Sequence, residues 1–321
     1  MQRRELLKLT ASAGLAWAAN SIAEALPSAI PIIDSHIHLF DTGRPGGVPW
    51  PERSDPIIYK PALPDRYASI ASPLGVVGAI AIEASPLASD NDWVLKVAAG
   101  HPMIVGMIGD LVPGAATFST ELERLRANPL FLGIRCGNLW SRDLAADVNN
   151  PGFIAGLKTL SQAGLTLDAA NPDPSLISAI MVVSDHVPEL RIVIDHLPHA
   201  EVPTDPVARK QYNSNLRRLG GRPNIFVKLS EIPEQKGQSV SMDPAFYKEK
   251  LDAIWNIFGE DRILYGSDWP NSDHLASYAD TLSIVRGYMS GKTAMVRQKF
   301  FWKNSIAAYK WRPRKPGQPS L

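Results

Sequence analysis

The chain of 321 residues contains a single cysteine, Cys136. One thiol can form neither an internal disulfide nor a cysteine-rich zinc site, so a metal site here would need histidine and carboxylate ligands. The net charge is only +1, because 33 Lys and Arg stand against 32 Asp and Glu, and no long basic run is present. This balance leaves no electrostatic footprint for a phosphate backbone, and we do not expect nucleic acid as a partner.

Long apolar segments are also missing. No stretch approaches the ~18 to 20 uninterrupted apolar residues that a bilayer-spanning helix needs, so we do not expect stable membrane association. The composition is 45% apolar and 20% charged, which is typical of a soluble globular protein and excludes a wholly disordered chain.

Residues 1–25 are predicted to be an export signal of the twin-arginine (Tat) type. Arg3 and Arg4 precede a weakly apolar stretch, and an Ala-Glu-Ala site for cleavage follows at residues 23–25. An ordinary amphipathic first helix is the alternative, because Glu5 is unusual in an export segment. The signal interpretation predicts a mature chain that begins near Leu26 and lies in the periplasm or outside the cell.

The remaining sequence alternates short β-branched runs with longer segments of helical spacing, which predicts βα units and a parallel sheet. Strands are predicted near Ile30–Ser35, Val76–Glu83, Ile104–Asp110, Phe131–Arg135, Leu165–Ala169, Arg191–His196, Ile225–Leu229 and Ile263–Ser267. Helices are predicted at Asp92–Ala99, Ser119–Arg126, Gly152–Gln162, Leu176–His186, Val207–Leu219, Ala245–Phe258, Ala276–Tyr288 and Val296–Tyr309.

Eight such units over about 270 residues match the usual size of a (β/α)8 TIM barrel, an α/β fold that we assign to residues 26–311. A doubly wound open sheet is the alternative, and it is disfavoured because no glycine-rich turn follows the first strand. No linker marks a second domain, and the proline-rich end at residues 312–321 is predicted to be flexible.

Barrels carry their chemistry at the carboxyl ends of the strands, and four polar residues occupy such positions. The first strand supplies His36 and His38, which alternation places on one face, and the sixth strand supplies His196. The eighth strand ends at Asp268. A single buried histidine is commonly a core residue and an Asp there can cap a helix, but together the four predict one converging catalytic site.

At these residues the chain resembles the amidohydrolase superfamily in its amidohydrolase-2 branch. The motifs IDSHIHLFD, IDHLP and LYGSDWP are most similar to the group that contains fuconolactone, rhamnonolactone and pyrone-dicarboxylate lactonases. The resemblance extends from about Pro31 to Tyr309. It implies a barrel hydrolase, although the same branch also holds zinc-dependent decarboxylases.

The resemblance bears on metal use because metal-dependent members carry a further ligand, a carboxylated lysine or a histidine, on the fourth or fifth strand. Here those strands end in GIRC and LTLDA, which contain neither. We therefore expect no obligatory cofactor. A weakly held zinc would have His36, His38 and Asp268 as its ligands.

The expected chemistry is opening of a small lactone, either a sugar acid lactone or a carboxylated cyclic ester. Asp268 would accept the proton of an attacking water, and His36, His38 and His196 would donate to the carbonyl oxygen. A zinc-dependent decarboxylase or amidohydrolase is the nearest alternative, and a non-catalytic binding protein is another. The identity of the substrate and the oligomeric state stay open.

Further residues are predicted to contact the substrate. Arg135 ends the fourth strand, where a salt bridge near the rim is the alternative, and Lys228 lies near the end of the seventh. Trp50 and Tyr59 lie in a long loop, residues 41–63, that we expect to act as a lid, and Trp269 follows Asp268. A second, polar loop spans residues 231–242.

Overall fold

A computed structural model describes residues 30–321 and shows one barrel of eight parallel strands with helices between them. The barrel strands are β1 (Ile32–His38), β2 (Val76–Ile82), β3 (Ile104–Gly109), β4 (Phe131–Gly137), β5 (Thr166–Ala170), β6 (Arg191–Ile194), β7 (Ile225–Leu229) and β10 (Ile263–Tyr265). The predicted TIM barrel and its eight strands are confirmed. The predicted signal at residues 1–25 lies outside the described residues.

Closure of the barrel depends on the segment after β10, because β10 itself has only three residues. The amide of Asp268 donates to the carbonyl of His36 at 2.9 Å, and the amide of His38 donates to the carbonyl of Trp269 at 2.7 Å. These bonds join the last strand to the first. They also bring Asp268 beside the two histidines of β1.

The helices are α1 (Pro64–Ala71), α2 (Ser89–Gly100), α3 (Phe118–Arg126), α4 (Leu144–Asp147), α5 (Pro151–Gln162), α6 (Pro174–His186), α7 (Pro206–Gly220), α8 (Pro244–Phe258), α9 (Tyr278–Met289), α10 (Ala294–Gln298) and α11 (Asn304–Tyr309). Helices α5 to α8 each begin with proline after an Asn or Asp whose side chain accepts a backbone N–H. Proline suits the first helical position, and the side-chain oxygen satisfies an unpaired N–H, so these sequence pairs set where the helices start.

Several features differ from the sequence prediction. Helix α1, which follows the 41–63 loop, and the short helix α4 were not predicted, and the 231–242 loop contains a hairpin of β8 (Gln235–Lys236) and β9 (Ser239–Val240). The predicted closing helix is interrupted by a π-helical turn at Lys299–Lys303.

No helix among residues 30–321 has the length and apolar character required to cross a bilayer.

The carboxyl-terminal segment packs against the amino-terminal end of the barrel. Arg314 Nη1 donates to the carbonyls of Ala98 and Ile104, both at 2.6 Å. Gln318 Nε2 donates to the carbonyls of Val77 and Pro102 at 3.0 and 2.8 Å. The prediction of a flexible end at residues 312–321 is therefore corrected, because its side chains satisfy backbone carbonyls next to β2 and β3.

Candidate functional site

A cavity of about 290 Å³ opens at the carboxyl ends of the strands, the face on which TIM barrels bind substrates. Five of the sequence-predicted site residues line it: His38, His196, Asp268, Arg135 and Trp50. Trp50 comes from the 41–63 loop and meets the His38 ring edge to face, with centroids 5.4 Å apart. This loop therefore contributes one wall of the cavity, as expected of a binding loop.

Asp268 is the centre of the cluster at the cavity floor. Its Oδ1 lies 3.4 Å from His36 Nε2, 3.1 Å from His38 Nε2 and 3.7 Å from His196 Nε2. Burial opposes ionisation of Asp268, but the imidazoles of His196 and His38 outweigh it and hold the pKa of this carboxyl well below its usual range. The structure thus brings the three predicted histidines together around the ionised carboxylate of Asp268.

The outer nitrogens of the imidazoles are held by protein groups. His38 Nδ1 lies 3.2 Å from the carbonyl oxygen of Ile82 and 3.1 Å from that of Glu83. His196 Nδ1 lies 2.9 Å from Ser230 Oγ. Partners of this kind fix the orientation of a ring, so both rings direct Nε2 towards Asp268.

His36 lies deeper than the other three groups. Its side chain is fully buried and does not line the cavity, and its Nε2 has no hydrogen-bond partner among the described residues. Burial lowers the pKa of His36, and the nearby Lys228 ammonium lowers it further. The predicted contact between His36 and a substrate carbonyl is therefore corrected, because His36 supports Asp268 from below.

Backbone conformation supplies a signal that sequence inspection missed. Five non-glycine residues that line the cavity have a positive φ: Trp140 (54°), Asn171 (55°), His196 (49°), Glu231 (56°) and Asp268 (63°). This left-handed conformation is costly for residues with a Cβ and is enriched at ligand sites. The strands therefore turn sharply as they end, which directs these five side chains into one cavity.

A cluster of buried charges lies beneath the floor. Lys228 Nζ contacts Asp168 Oδ2 at 2.6 Å and Asp195 Oδ1 at 2.9 Å, and Arg135 Nε donates to Asp195 Oδ2 at 3.0 Å. Burial raises the pKa of Asp168 to about 7. Burial also acts on Asp195, but Lys228 outweighs it and keeps the pKa of Asp195 low. Two cations and two carboxyl groups thus compensate one another in the interior.

The cavity wall carries two carboxyl groups that resist ionisation. Burial raises the pKa of Glu83 to about 8, even though Arg142 donates to it. Burial likewise raises the pKa of Glu231 to about 8, and the charge of Asp268 adds to the effect. Arg142 also donates to Asp110 Oδ1 at 2.8 Å, so this arginine joins the ends of the second and third strands.

Three predicted substrate contacts lie away from the cavity. Lys228 is fully buried in the charge cluster, so its predicted contact with substrate is corrected. Trp269 is also fully buried and packs on Tyr67 with ring centroids 5.2 Å apart, so it is a core residue. Tyr59 is half-buried at the side of its loop and does not line the cavity.

The cavity also contains polar residues that the sequence analysis did not single out. Asn171 directly follows β5, Glu231 follows β7 by two positions, and Asn271 donates to Asp268 Oδ2 at 2.7 Å. Asn171 and Glu231 occupy the positions at which His196 and Asp268 were found, just past a strand end. Applying the same rule to β5 and β7 would have identified both.

The donor atoms of the cluster fit a divalent cation. Two ligands on one tetrahedral zinc, each ~2.0 to 2.2 Å from it, lie roughly 3.3 to 3.6 Å apart. Three Nε2 atoms lie 3.1 to 3.7 Å from Asp268 Oδ1, and His38 Nδ1 faces two carbonyls. In a neutral His38 ring, Nε2 then directs a lone pair at the Asp268 carboxylate, so a proton or a cation is required between them.

Comparisons with known proteins identify similar sequences and structures with the same fold. An L-fucono-1,5-lactonase from Burkholderia ambifaria is 25% identical over 251 residues, which is 77% of this chain and 83% of that protein. An amidohydrolase from Burkholderia multivorans, solved with bound zinc, has a TM-score of 0.76 at 21% identity and covers 88% of this chain and 100% of that one. A probable 2-pyrone-4,6-dicarboxylic acid hydrolase from Acinetobacter baumannii, solved with citric acid, has a TM-score of 0.68 at 18% identity and covers 87% of this chain and 99% of that one.

A model of the amidohydrolase family built on its known members matches residues 33–311, which include every strand of the barrel except the first residue of β1. The match contains the histidine pair of β1, His196 and Asp268. The chain therefore belongs to the amidohydrolase family, in its amidohydrolase-2 type, and is an enzyme.

Proposed function

We propose that this protein hydrolyses the ester bond of a small lactone that is uncharged and rich in hydroxyl groups. One observation carries the proposal: the ionised carboxylate of Asp268 and the side chains of His196 and Arg135 meet in one cavity. This is the arrangement that addition of water to a carbonyl requires, namely a proton acceptor beside hydrogen-bond donors.

In this mechanism Asp268 Oδ1 accepts a proton from water as the water attacks the lactone carbonyl. Asn271 holds the other carboxylate oxygen at 2.7 Å and so fixes the orientation of Asp268. His196 and Arg135 line the same cavity and donate to the carbonyl oxygen as negative charge develops there. The leaving alkoxide then takes this proton from Asp268, which regenerates the carboxylate, and stays in the product as a hydroxyl group because the ester is cyclic.

The cavity favours a neutral sugar lactone over a dicarboxylate. Its volume of about 290 Å³ lies at the small end of ligand sites. Arg135 is already paired with Asp195, whereas Glu83 and Glu231 place carboxyl groups in the wall. Two negative charges on a ligand would face the charge of Asp268 and an arginine that is already paired, while hydroxyl groups would pair with the carboxyl groups of Glu83 and Glu231. The L-fucono-1,5-lactonase relatives support this choice.

Binding of a metal ion is also part of this proposal. A divalent cation would be held by His36, His38 and Asp268, whose donor atoms lie within 4.8 Å of one another, and when bound it would supply Lewis-acid polarisation. The Burkholderia multivorans structure with bound zinc supports such a site. Our proposal needs only the protein's own donors, so hydrolysis is expected to continue without added metal.

A lactone panel tests the proposed function. Purified protein is assayed by acid release in weakly buffered indicator, with 1,4- and 1,5-lactones of hexonic and 6-deoxyhexonic acids beside a pyrone dicarboxylate and an aromatic carboxylic acid. We expect turnover of at least one neutral lactone, and its loss in Asp268→Asn. Turnover confined to the dicarboxylate would correct the substrate class, and carbon dioxide release from the aromatic acid would support a decarboxylase instead. Binding without turnover would favour the non-catalytic alternative.

We further propose that the protein is exported, on the strength of the twin-arginine pattern at Arg3 and Arg4 and the small-residue site at 23–25. The active site would then act on lactones in the periplasm or outside the cell.

A further inference from the structure

The turn that follows β4, residues 139–142, brings Trp140 to the cavity in a conformation that tryptophan rarely adopts. The amide of Arg142 donates to the carbonyl of Leu139 at 2.9 Å, and the two central residues, Trp140 and Ser141, have φ of 54° and 61°. Turns with a positive φ at both central positions are normally made of Asn and Gly. Surrounding contacts must therefore hold this turn, which we call the β4 turn, in its conformation.

Arg142, the last residue of the β4 turn, supplies these contacts. Its Nε donates to the carbonyl of Leu139 at 3.3 Å, and its Nη1 donates to the carbonyl of Arg135 at 2.9 Å. The same guanidinium donates to both carboxylate oxygens of Glu83 and, at 2.8 Å, to Asp110 Oδ1. One rigid fork thereby joins the β4 turn to the ends of β2, β3 and β4.

Arg142 lies behind the cavity wall, whereas two of the groups that it holds face the cavity. Arg142 does not line the cavity, but Glu83 and Trp140 both do. The contact with Arg142 occupies one acceptor site on each carboxylate oxygen of Glu83, and each oxygen has a second site. No other group among residues 30–321 donates to these two oxygens, so a hydroxyl group of a ligand can use the second sites.

Trp140 adds an apolar surface to the polar groups of the cavity. A sugar ring presents C–H groups on its faces and hydroxyl groups at its edge. The C–H groups pack well on an aromatic ring, and the hydroxyl groups need hydrogen-bond partners. An indole and a carboxylate held by the same arginine supply both kinds of contact.

We propose that Trp140 and Glu83 form a subsite for the hydroxyl-bearing ring of the substrate, and that Arg142 is the positioning residue that builds this subsite. The ligand class is a neutral cyclic polyol. The subsite consists of residues other than Asp268, His196 and Arg135, which act on the ester. Its place in turnover rests on the proposed lactone hydrolysis, whereas its affinity for the ring requires no reaction.

A comparison of two lactones measures the contribution of the subsite to turnover. The sugar lactone that the panel identifies is compared with the unsubstituted lactone of the same ring size, which keeps the ester and lacks the hydroxyl groups. Arg142→Lys keeps a positive charge beside Glu83 and Asp110 but lacks the fork that holds Glu83 and the β4 turn together. We expect the ratio of the two kcat/KM values, sugar lactone over unsubstituted lactone, to fall about tenfold or more.

Arg135→Lys is the matched control. It makes the same chemical change in a cavity residue that we assign to the carbonyl, a group that both lactones share. Both kcat/KM values should fall in this variant, while their ratio stays within about twofold of the wild-type ratio.

Equilibrium binding tests the subsite without a reaction. The 1,5-anhydrohexitols have the ring hydroxyl groups of a sugar lactone and no carbonyl, and their Kd is measured by ligand-observed NMR titration. Asparagine tolerates a positive φ, so Trp140→Asn removes the indole and relieves the backbone strain. We expect Arg142→Lys and Trp140→Asn each to raise Kd about threefold or more for an anhydrohexitol that the wild type binds.

These measurements separate the subsite from the proposed reaction. If the wild type opens no lactone but binds an anhydrohexitol that both variants bind more weakly, the reaction is wrong and the subsite is supported. A wild type that binds none of these rings, or a folded variant with an unchanged Kd, would overturn the subsite. Equal losses on both lactones in Arg142→Lys would also overturn it, because the arginine would then act on the chemistry through the end of β2, where the Glu83 carbonyl contacts His38 Nδ1.

Discussion

Asp268→Asn separates a catalytic carboxylate from a structural one, because the structure shows what the substitution removes. The side chain accepts from Asn271 at 2.7 Å and faces His38 Nε2 at 3.1 Å, and it accepts no backbone N–H from any residue in 30–321. It is therefore not a helix cap. Its φ of 63° is one that Asn tolerates, so the variant keeps the shape and backbone and loses the charge.

The expected loss of activity is large, and the variant should still fold. Removing a general base typically costs ~10² to 10⁴ in rate, so kcat should fall at least about a hundredfold, which corresponds to roughly 2.7 kcal/mol at 1.36 kcal/mol per tenfold. The free energy of unfolding should fall by about 1 to 3 kcal/mol, because the imidazoles that lower the pKa of Asp268 also stabilise its charge in the folded protein. In a domain of this size each 1 kcal/mol shifts Tm by ~2 to 4 °C.

The assay measures kcat and Tm on one preparation, using a lactone identified by the panel. Asp273→Asn is the matched control, since it makes the same chemical change in the short turn that follows, where Asp273 lies 3.5 Å from Arg66 and does not line the cavity. Its kcat should stay within about twofold of wild type. A folded Asp268→Asn protein with near-normal kcat would refute the assignment of Asp268 as proton acceptor.

Four further predictions follow from the structure and sequence. Arg135→Met should lower kcat/KM by roughly ten- to a hundredfold through loss of a charged donor in the cavity, as measured by initial rates over a range of lactone concentrations. Dialysis against a chelator should leave most lactone hydrolysis intact, and complete loss restored by stoichiometric zinc would contradict it. Arg314→Ala should lower the free energy of unfolding by about 1 to 3 kcal/mol in denaturant titrations, because its bonds to backbone carbonyls next to β3 are lost. Replacing Arg3 and Arg4 by lysine should leave uncleaved precursor in the cytoplasm, and an intact Met1 on native envelope protein would contradict cleavage.

Much of the fold was predictable because the barrel repeats one strong pattern. Most strands are short apolar runs, and four helices begin at an Asn-Pro or Asp-Pro pair, so local chemistry marks the boundaries. The π-helical turn at Lys299–Lys303 was not predictable, since its residues continue the helical spacing on both sides. The anchoring of Arg314 was also hidden, because its partners are backbone carbonyls more than 200 positions away, and backbone groups leave no trace in the side-chain sequence.

The site was predictable to the extent that strand ends identify it. The four predicted residues meet because each lies near the carboxyl end of a barrel strand. They are His36, His38, His196 and Asp268. The depth of each side chain was not predictable. The alternation along a strand predicts which face a side chain occupies, but it does not predict the distance of that side chain from solvent. Lys228 and His36 share the inward face with His38 yet are fully buried, whereas His38 lines the cavity.

The residues with positive φ explain why polar residues just past the strand ends identify the site. Within residues 30–321, five of the seven non-glycine residues with positive φ line the cavity, and each such conformation costs of order 1–3 kcal/mol. The closed sheet supplies that energy, because it fixes both ends of every turn. Glycine at Glu231 or Asn171 would relieve strain but would remove a polar group from the cavity wall. The fold therefore tolerates the conformational cost of a positive φ where a side chain must face the cavity. The turns that strain the backbone also assemble the active site.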